Sequence, residues 1–251
     1  METRSTIVGG YVRALGSPPL AKPKQEARSA APYVTISRES GAGGREVGEA
    51  LARLLTEARP NMPWRFYDRE LVDEIIADHN LSEKLRASLE EEQISRLDDW
   101  VSSVIEHKPP QVVLAEKMAK TVRSLALRGH AVILGRGGGI LTRDLATGLH
   151  VRLIAPKAIR LARKQEQAQQ QRKALDEAEL DRIDASRAAY VRSYWGADQT
   201  DPHNYDLVLN THCLGIAACT QLIASLVLEC DAQRARRSSR RPASPHPPSQ
   251  R

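Results

Sequence analysis

Aromatic residues are scarce in this sequence: one Phe, three Trp and six Tyr make up 4% of 251 residues. The core must therefore be built from Leu, Val, Ile and Ala, and the 41% hydrophobic content is sufficient for one domain of about 200 residues. Cysteine is rarer still. Cys213, Cys219 and Cys230 show no C-x-x-C spacing, which excludes a zinc framework and a disulfide scaffold and fits a reducing, cytoplasmic setting. No run of about 18 apolar residues exists, so no membrane partner is expected, and the amino terminus lacks the pattern of a signal peptide. The seven histidines are dispersed without H-E-x-x-H or paired spacing, and no protein-built metal site is expected. Trp64, Trp100 and Trp195 do not form the stacking array of an RNA-binding sheet.

Acid is missing from one stretch in particular. Residues 233–251 carry Arg234, Arg236, Arg237, Arg240, Arg241 and Arg251 with no Asp or Glu, and this segment accounts for most of the net charge of +6. A Ser-, Pro- and Arg-rich stretch buries too little apolar surface to fold, so residues 231–251 are expected to form a disordered basic tail. Nucleic acid is not expected as a partner except through that tail. At the other end, Gly9, Gly10, Gly16, Pro18, Pro19 and Pro23 break any period, and residues 1–30 are expected to be a flexible arm.

Between these ends, strand and helix patterns alternate. Tyr33 to Ser37 is rich in β-branched residues and is followed by glycines, then by Val47, Ala50, Leu51, Leu54 and Leu55 at helical spacing. Trp64 to Tyr67 predicts a second strand, leading into a helix with Leu71, Val72, Ile75 and Ile76 on one side. Residues 81–107 have only helical periodicity and predict a helical insertion. A helix over Gln111 to Arg128 is expected to end at Gly129. Ala131 to Leu134 is a continuous apolar run, as in a strand covered on both faces. Strands are also predicted at His150 to Ile154 and Tyr205 to Leu209, with polar helices over 157–195 between them and a helix from Leu214 to Leu228 after. Five strands alternating with helices imply an α/β fold with a parallel sheet, occupying residues 31–230.

Two glycine-rich turns carry the chemistry. The first, SRESGAGGREVG from Ser37 to Gly48, lies between a strand and a helix. There Gly41, Gly43 and Gly44 allow close backbone approach, and the helix N-terminus adds partial positive charge, a combination suited to phosphate. The Walker pattern GxxxxGK[ST] is not met: with its final glycine set on Gly43, Gly44 stands where Lys belongs and Arg45, then Glu46, stand beyond it. The second, ILGRGGG from Ile133 to Gly139, ends another strand, where ligands gather in open α/β sheets, and Arg136 is placed to reach a phosphate. In DRIDASRAAY, Asp184 and Arg187 lie three apart and share a helix face. In YDREL, Asp68 and Arg69 either meet an acceptor or, for Asp68, cap the following helix.

VTISRESGAGGREVGEALARLL followed by FYDRELV resembles the opening of the cytidylate kinase-like family. The resemblance implies a three-layer P-loop nucleotide kinase fold, with lid-like helices over 157–195, and phosphoryl transfer from ATP or another nucleoside triphosphate, with Mg²⁺, to a nucleoside monophosphate such as (d)CMP. It implies that Ser40, Gly41, Ala42, Gly43, Gly44 and Arg45 cradle the donor phosphates, with Arg45 as the catalytic charge in place of Lys. Asp68, Arg69, Arg136, Asp184 and Arg187 are implied to bind the acceptor. Where cytidylate kinases carry a GRD segment, Gly137 replaces the Asp, which leaves cytosine specificity open. The missing Lys leaves a second reading, a non-catalytic nucleotide or phosphate sensor.

Overall fold

The computed structural model describes residues 31–89, 91–102, 110–170 and 176–239; the expected arm at 1–30 and the end of the tail at 240–251 lie outside them. The first strand, β1 (Tyr33–Arg38), is followed by helix α1 (Gly44–Ala58). Strand β2 (Arg65–Tyr67) leads to α2 (Arg69–Ala77), α3 (His79–Ala87), α4 (Glu91–Ser102) and α5 (Pro110–Arg128). Strand β3 (Ala131–Leu134) is followed by the single turn α6 (Gly138–Leu141), and β4 (Gly148–Ile154) by α7 (Lys157–Gln170) and α8 (Glu177–Trp195). Strand β5 (Leu207–Asn210) and α9 (Ile216–Ser239) complete the described chain. Among the described residues no helix is long and apolar enough to cross a membrane.

All five strands are parallel, in the order β2-β3-β1-β4-β5. Alternation along each strand sends successive side chains to opposite faces, and both faces are covered. Val34, Ile36, Val132, Leu134, Val151 and Leu153 pack with Leu51 and Leu55 of α1 and Ile223 and Val227 of α9. Tyr33 and Ile133 face the other way, against Val122 and Leu125 of α5, Ile140 of α6 and Trp195 of α8. The result is a three-layer α/β fold, with each fully buried Leu or Ile contributing roughly 1.5–3 kcal/mol. Gly48 permits α1 to approach β2, since a Cβ there would overlap the Phe66 ring.

The expected helical insertion is two helices, α3 and α4; residues 103–107 lie outside the described residues. Leu89 and Leu97 pack on Leu127 of α5 as a satellite of the main core, and Gln93 Nε2 donates to the Leu127 carbonyl at 2.9 Å. Helix α5 ends at Gly129, whose φ of 75° is of the left-handed kind that glycine tolerates. The last helix differs from expectation. It continues past Leu228 to Ser239, so the tail expected from residue 231 begins inside a helix. Composition missed this because two tertiary contacts anchor it: Asp231 pairs with Arg59, and Arg234 donates to the carbonyls of Ala146 and Thr147 at 2.7 and 3.4 Å.

Candidate functional site

Strand order places the crossover from one side of the sheet to the other at β1, whose neighbours are β3 and β4. Both glycine-rich turns leave the carboxyl ends of adjacent strands there, the first after β1 and the second after β3. In open α/β sheets this crevice is where ligands bind.

The first turn is braced from outside. Ser40 N–H donates to Asp184 Oδ1 at 2.7 Å. Arg160 Nη1 donates to the Ser40 carbonyl at 3.1 Å and to Asp184 Oδ2 at 2.6 Å, and its Nε to the Ala155 carbonyl at 3.0 Å. Thr211 Oγ1 donates to the Ala42 carbonyl at 3.1 Å and accepts from Arg163 Nη1 at 2.9 Å. A Cβ on Gly41 would overlap the Arg160 carbonyl, and one on Gly43 would overlap the Ile216 side chain. With its carbonyls engaged outward, the turn feeds α1 through Gly43, at φ 79°, and no side chain caps the helix N-terminus. The first N–H groups of α1 are thus left to an anion.

The second turn opens on a cavity of about 260 Å³. Gly135, Arg136 and Gly137 all have positive φ, at 82°, 56° and 68°, a conformation rare for a side-chain-bearing residue such as Arg. Four arginines line the cavity, Arg38, Arg69, Arg136 and Arg187, and the apolar wall includes Ile36, Leu134 and Val191. Tyr190 and Tyr205 also line it. Tyr205 Oη donates to the Gln199 carbonyl at 2.8 Å and lies 3.1 Å from Ser37 Oγ, whose hydroxyl can donate to it. Burial pushes the Tyr190 phenol up to about 12, so it remains a neutral hydroxyl.

Of the residues expected to meet an acceptor, Arg69, Arg136 and Arg187 line this cavity. Arg136 pairs with Asp73, and Arg69 Nε lies 3.7 Å from the same carboxylate. Arg187 Nη1 is 3.8 Å from Asp184 and makes no hydrogen bond; burial lowers its affinity for its proton, with Asp184 opposing the shift. Asp184 lies beneath the first turn, held to Ser40 and Arg160. Asp68 caps α2 by accepting from Leu71 N–H at 2.9 Å and also meets Arg45 Nη2 at 2.6 Å.

The Arg45 side chain is placed differently from what its expected role needs. It is half exposed and lies 2.6, 3.1 and 3.7 Å from Asp68, Glu70 and Glu49, so its charge is balanced by carboxylates, and it does not line the cavity. Arg38, at the end of β1, does. Burial, then the nearby Arg187, Arg136 and Arg45, depress its affinity for the proton, with Glu70 opposing, yet a guanidinium stays charged at neutral pH. Burial, Arg187, Arg38 and Arg45 also lower that of Lys164 on α7, opposed by Glu46. Arg152, buried in β4, lies over the Tyr205 ring at 5.7 Å. Sequence reasoning missed Arg38 and Arg152. The signal for Arg38 was its place in the turn, at the position of the first Walker glycine.

Fold and site together define a three-layer α/β protein of the P-loop-like kind: a parallel sheet in the order above, an uncapped helix after β1 and an arginine-lined crevice beside it. The chain belongs to the cytidylate kinase-like family, whose model matches residues 33–212. A search of curated proteins found no match. Among solved structures, the fold is similar to that of an uncharacterized protein from Eubacterium ventriosum ATCC 27560, at 18% identity and a TM-score of 0.54, over 78% of this chain and 98% of that one. A shikimate kinase from Bacteroides thetaiotaomicron matches at 14% identity and a TM-score of 0.43, over the same shares of the two chains.

Proposed function

We propose that this protein transfers the γ-phosphoryl group of a nucleoside triphosphate, ATP by preference, to a nucleoside monophosphate of the (d)CMP kind. The observation that carries the reading is the four arginines gathered in one cavity beside an uncapped helix N-terminus. Phosphoryl transfer needs positioning and charge neutralisation more than covalent chemistry, and this arrangement offers both. The backbone N–H groups of Gly43, Gly44, Arg45 and Glu46 bind donor phosphate oxygens. Ser40, Gly41 and Ala42 form the turn that aims them, and Arg160, Asp184 and Thr211 fix that turn. Arg69, Arg136 and Arg187 clamp the acceptor phosphate, while Asp68 holds Arg45 across the mouth of the site. Helices α7 and α8 act as the lid.

For Mg²⁺ the fit is partial. The position of the Walker hydroxyl is Arg45, whose side chain lies against Asp68, Glu70 and Glu49, so the chain offers no hydroxyl there. The ion is expected to be held by donor phosphates and water, where it supplies charge neutralisation.

Purified protein incubated with MgATP and a panel of nucleoside monophosphates tests the reading. ADP should form only with an acceptor present, and Arg136→Ala should reduce kcat/KM by roughly 100-fold, about the loss of one charge-assisted phosphate contact. Equal ADP release with and without every acceptor would remove the reading. Gly44 in place of the Walker Lys favours a second one, a phosphate sensor, which predicts saturable MgATP binding with no turnover.

A further inference from the structure

Arg38 occupies space that two glycines from different turns leave for it. A Cβ on Gly44 would lie 2.8 Å from Arg38 Cγ and 3.3 Å from its Cδ, and a Cβ on Gly135 would overlap its Nη1. The aliphatic stem therefore passes over the first residue of α1, and the guanidinium rests on the second turn. Gly44 is the position at which a Walker loop carries Lys. Arg38 itself stands where such a loop has its first glycine. The two positions have exchanged residue types: glycine has moved to 44, and the long cation has moved to 38.

Taking the phosphoryl-transfer reading as its basis, we infer that Arg38 is this chain's substitute for the Walker lysine, reaching the β- and γ-phosphates of the donor from the strand side of the loop. Arg38 fits the role better than Arg45. Arg45 shares its charge among Asp68, Glu70 and Glu49. No ion pair engages Arg38 among the described residues, and of the charges that act on it Arg187, Arg136 and Arg45 are cationic and Glu70 alone is anionic. A cation with three cations and one carboxylate acting on it is short of counter-charge, and an anion bound between the two turns supplies it. A guanidinium also presents a planar fork to two phosphate oxygens where an ammonium presents a point charge.

The exchange makes a prediction that no general account of arginines makes. Gly44→Lys alone should gain nothing, because the Arg38 stem fills the space its own Cβ needs. Arg38→Gly together with Gly44→Lys should restore a lysine-type loop.

The test is calorimetric titration of the full chain with MgATP and, separately, with inorganic tripolyphosphate, with the thermal midpoint of each variant measured without ligand. Arg38→Ala is expected to weaken both ligands at least 30-fold, more than Arg45→Ala does, and the Arg38→Gly/Gly44→Lys pair to recover to within about fivefold of wild type. Arg38→Lys, which keeps the charge but replaces the planar fork with a point charge, should fall between them and serves if the paired variant does not fold. Wild-type binding with Arg38→Ala within threefold of it would overturn the inference and leave the proposed function standing. Loss in Arg38→Ala with no recovery in a folded paired variant would make Arg38 structural and equally overturn it. Failure of the wild type to bind either ligand would remove the proposed function and this inference with it.

Discussion

The two glycine-bearing turns at the ends of β1 and β3 are built from similar residues and held in opposite ways. After β1, the carbonyls of Ser40 and Ala42 are tied to Arg160 and Thr211 and the Ser40 N–H to Asp184, so what the turn can offer a ligand is backbone N–H. After β3, successive positive φ values turn the chain sharply and open a floor on which side chains converge. One turn is a rigid cradle of main-chain donors; the other is a gap that arginines fill. Glycine serves conformation in the first and vacancy in the second, and composition alone does not distinguish these uses.

The largest effect should come from removing the brace. Asp184→Ala leaves Arg160, which is 9% exposed in its side chain, short of a partner and strands the Ser40 N–H. Breaking such a buried pair from one side costs about 3 kcal/mol, to be read from urea unfolding; a cost under about 1 kcal/mol would mean the first turn does not depend on its brace. Next is the second turn. Gly135→Ala meets both a left-handed φ and the Arg38 guanidinium, and should cost about 2 kcal/mol. Gly139→Ala, whose Cβ would meet Thr35 Oγ1 at 3.3 Å and His150 Nδ1 at 3.6 Å, should cost clearly less. Equal thermal shifts for the two would erase the distinction between strained and merely snug glycines.

A smaller effect of opposite sign is expected at Arg38. Arg38→Met keeps the stem and removes a half-buried charge on which three cations and one carboxylate act, so the ligand-free protein should gain roughly 1 kcal/mol, a rise of about 2–4 °C in Tm for a domain of this size. The same variant should lose the Tm increase that tripolyphosphate gives the wild type. Smallest is Arg45→Ala, which removes exposed ion pairs and should change stability by less than about 1 kcal/mol in the same melts. A larger loss would show that the contacts to Asp68 and Glu70 hold α1 against α2.

Much of this architecture is legible in the sequence, because it rests on local patterns. The apolar run Ala131–Leu134, the end of α5 at Gly129 and the two glycine turns each follow from residue types within a few positions of one another. Arg69, Arg136 and Arg187, which line one cavity, were legible as candidates for the same reason: each sits beside a strand end or in a short recognisable segment. Arg38 was hidden inside YVTISR, where it reads as the polar end of a strand. Its meaning depends on Gly44 and Gly135, the second of which is remote in sequence. The extension of α9 to Ser239 was invisible in the same way, since an arginine-rich segment reads as unfolded until Asp231 and Arg234 find Arg59 and the turn at 146–147.

The crossing of Arg38 over Gly44 and Gly135 also has a consequence for descent. Three positions on two separate turns share one volume, so none of them can drift alone. A line of descent that acquires a side chain at 44 must shorten residue 38 in the same step or soon after, and one that shortens 38 first removes the steric half of the constraint at 135, where the φ of 82° still favours glycine. Among relatives of this chain, these three positions should therefore change together, as a single inherited unit, whatever happens in the sequence between them.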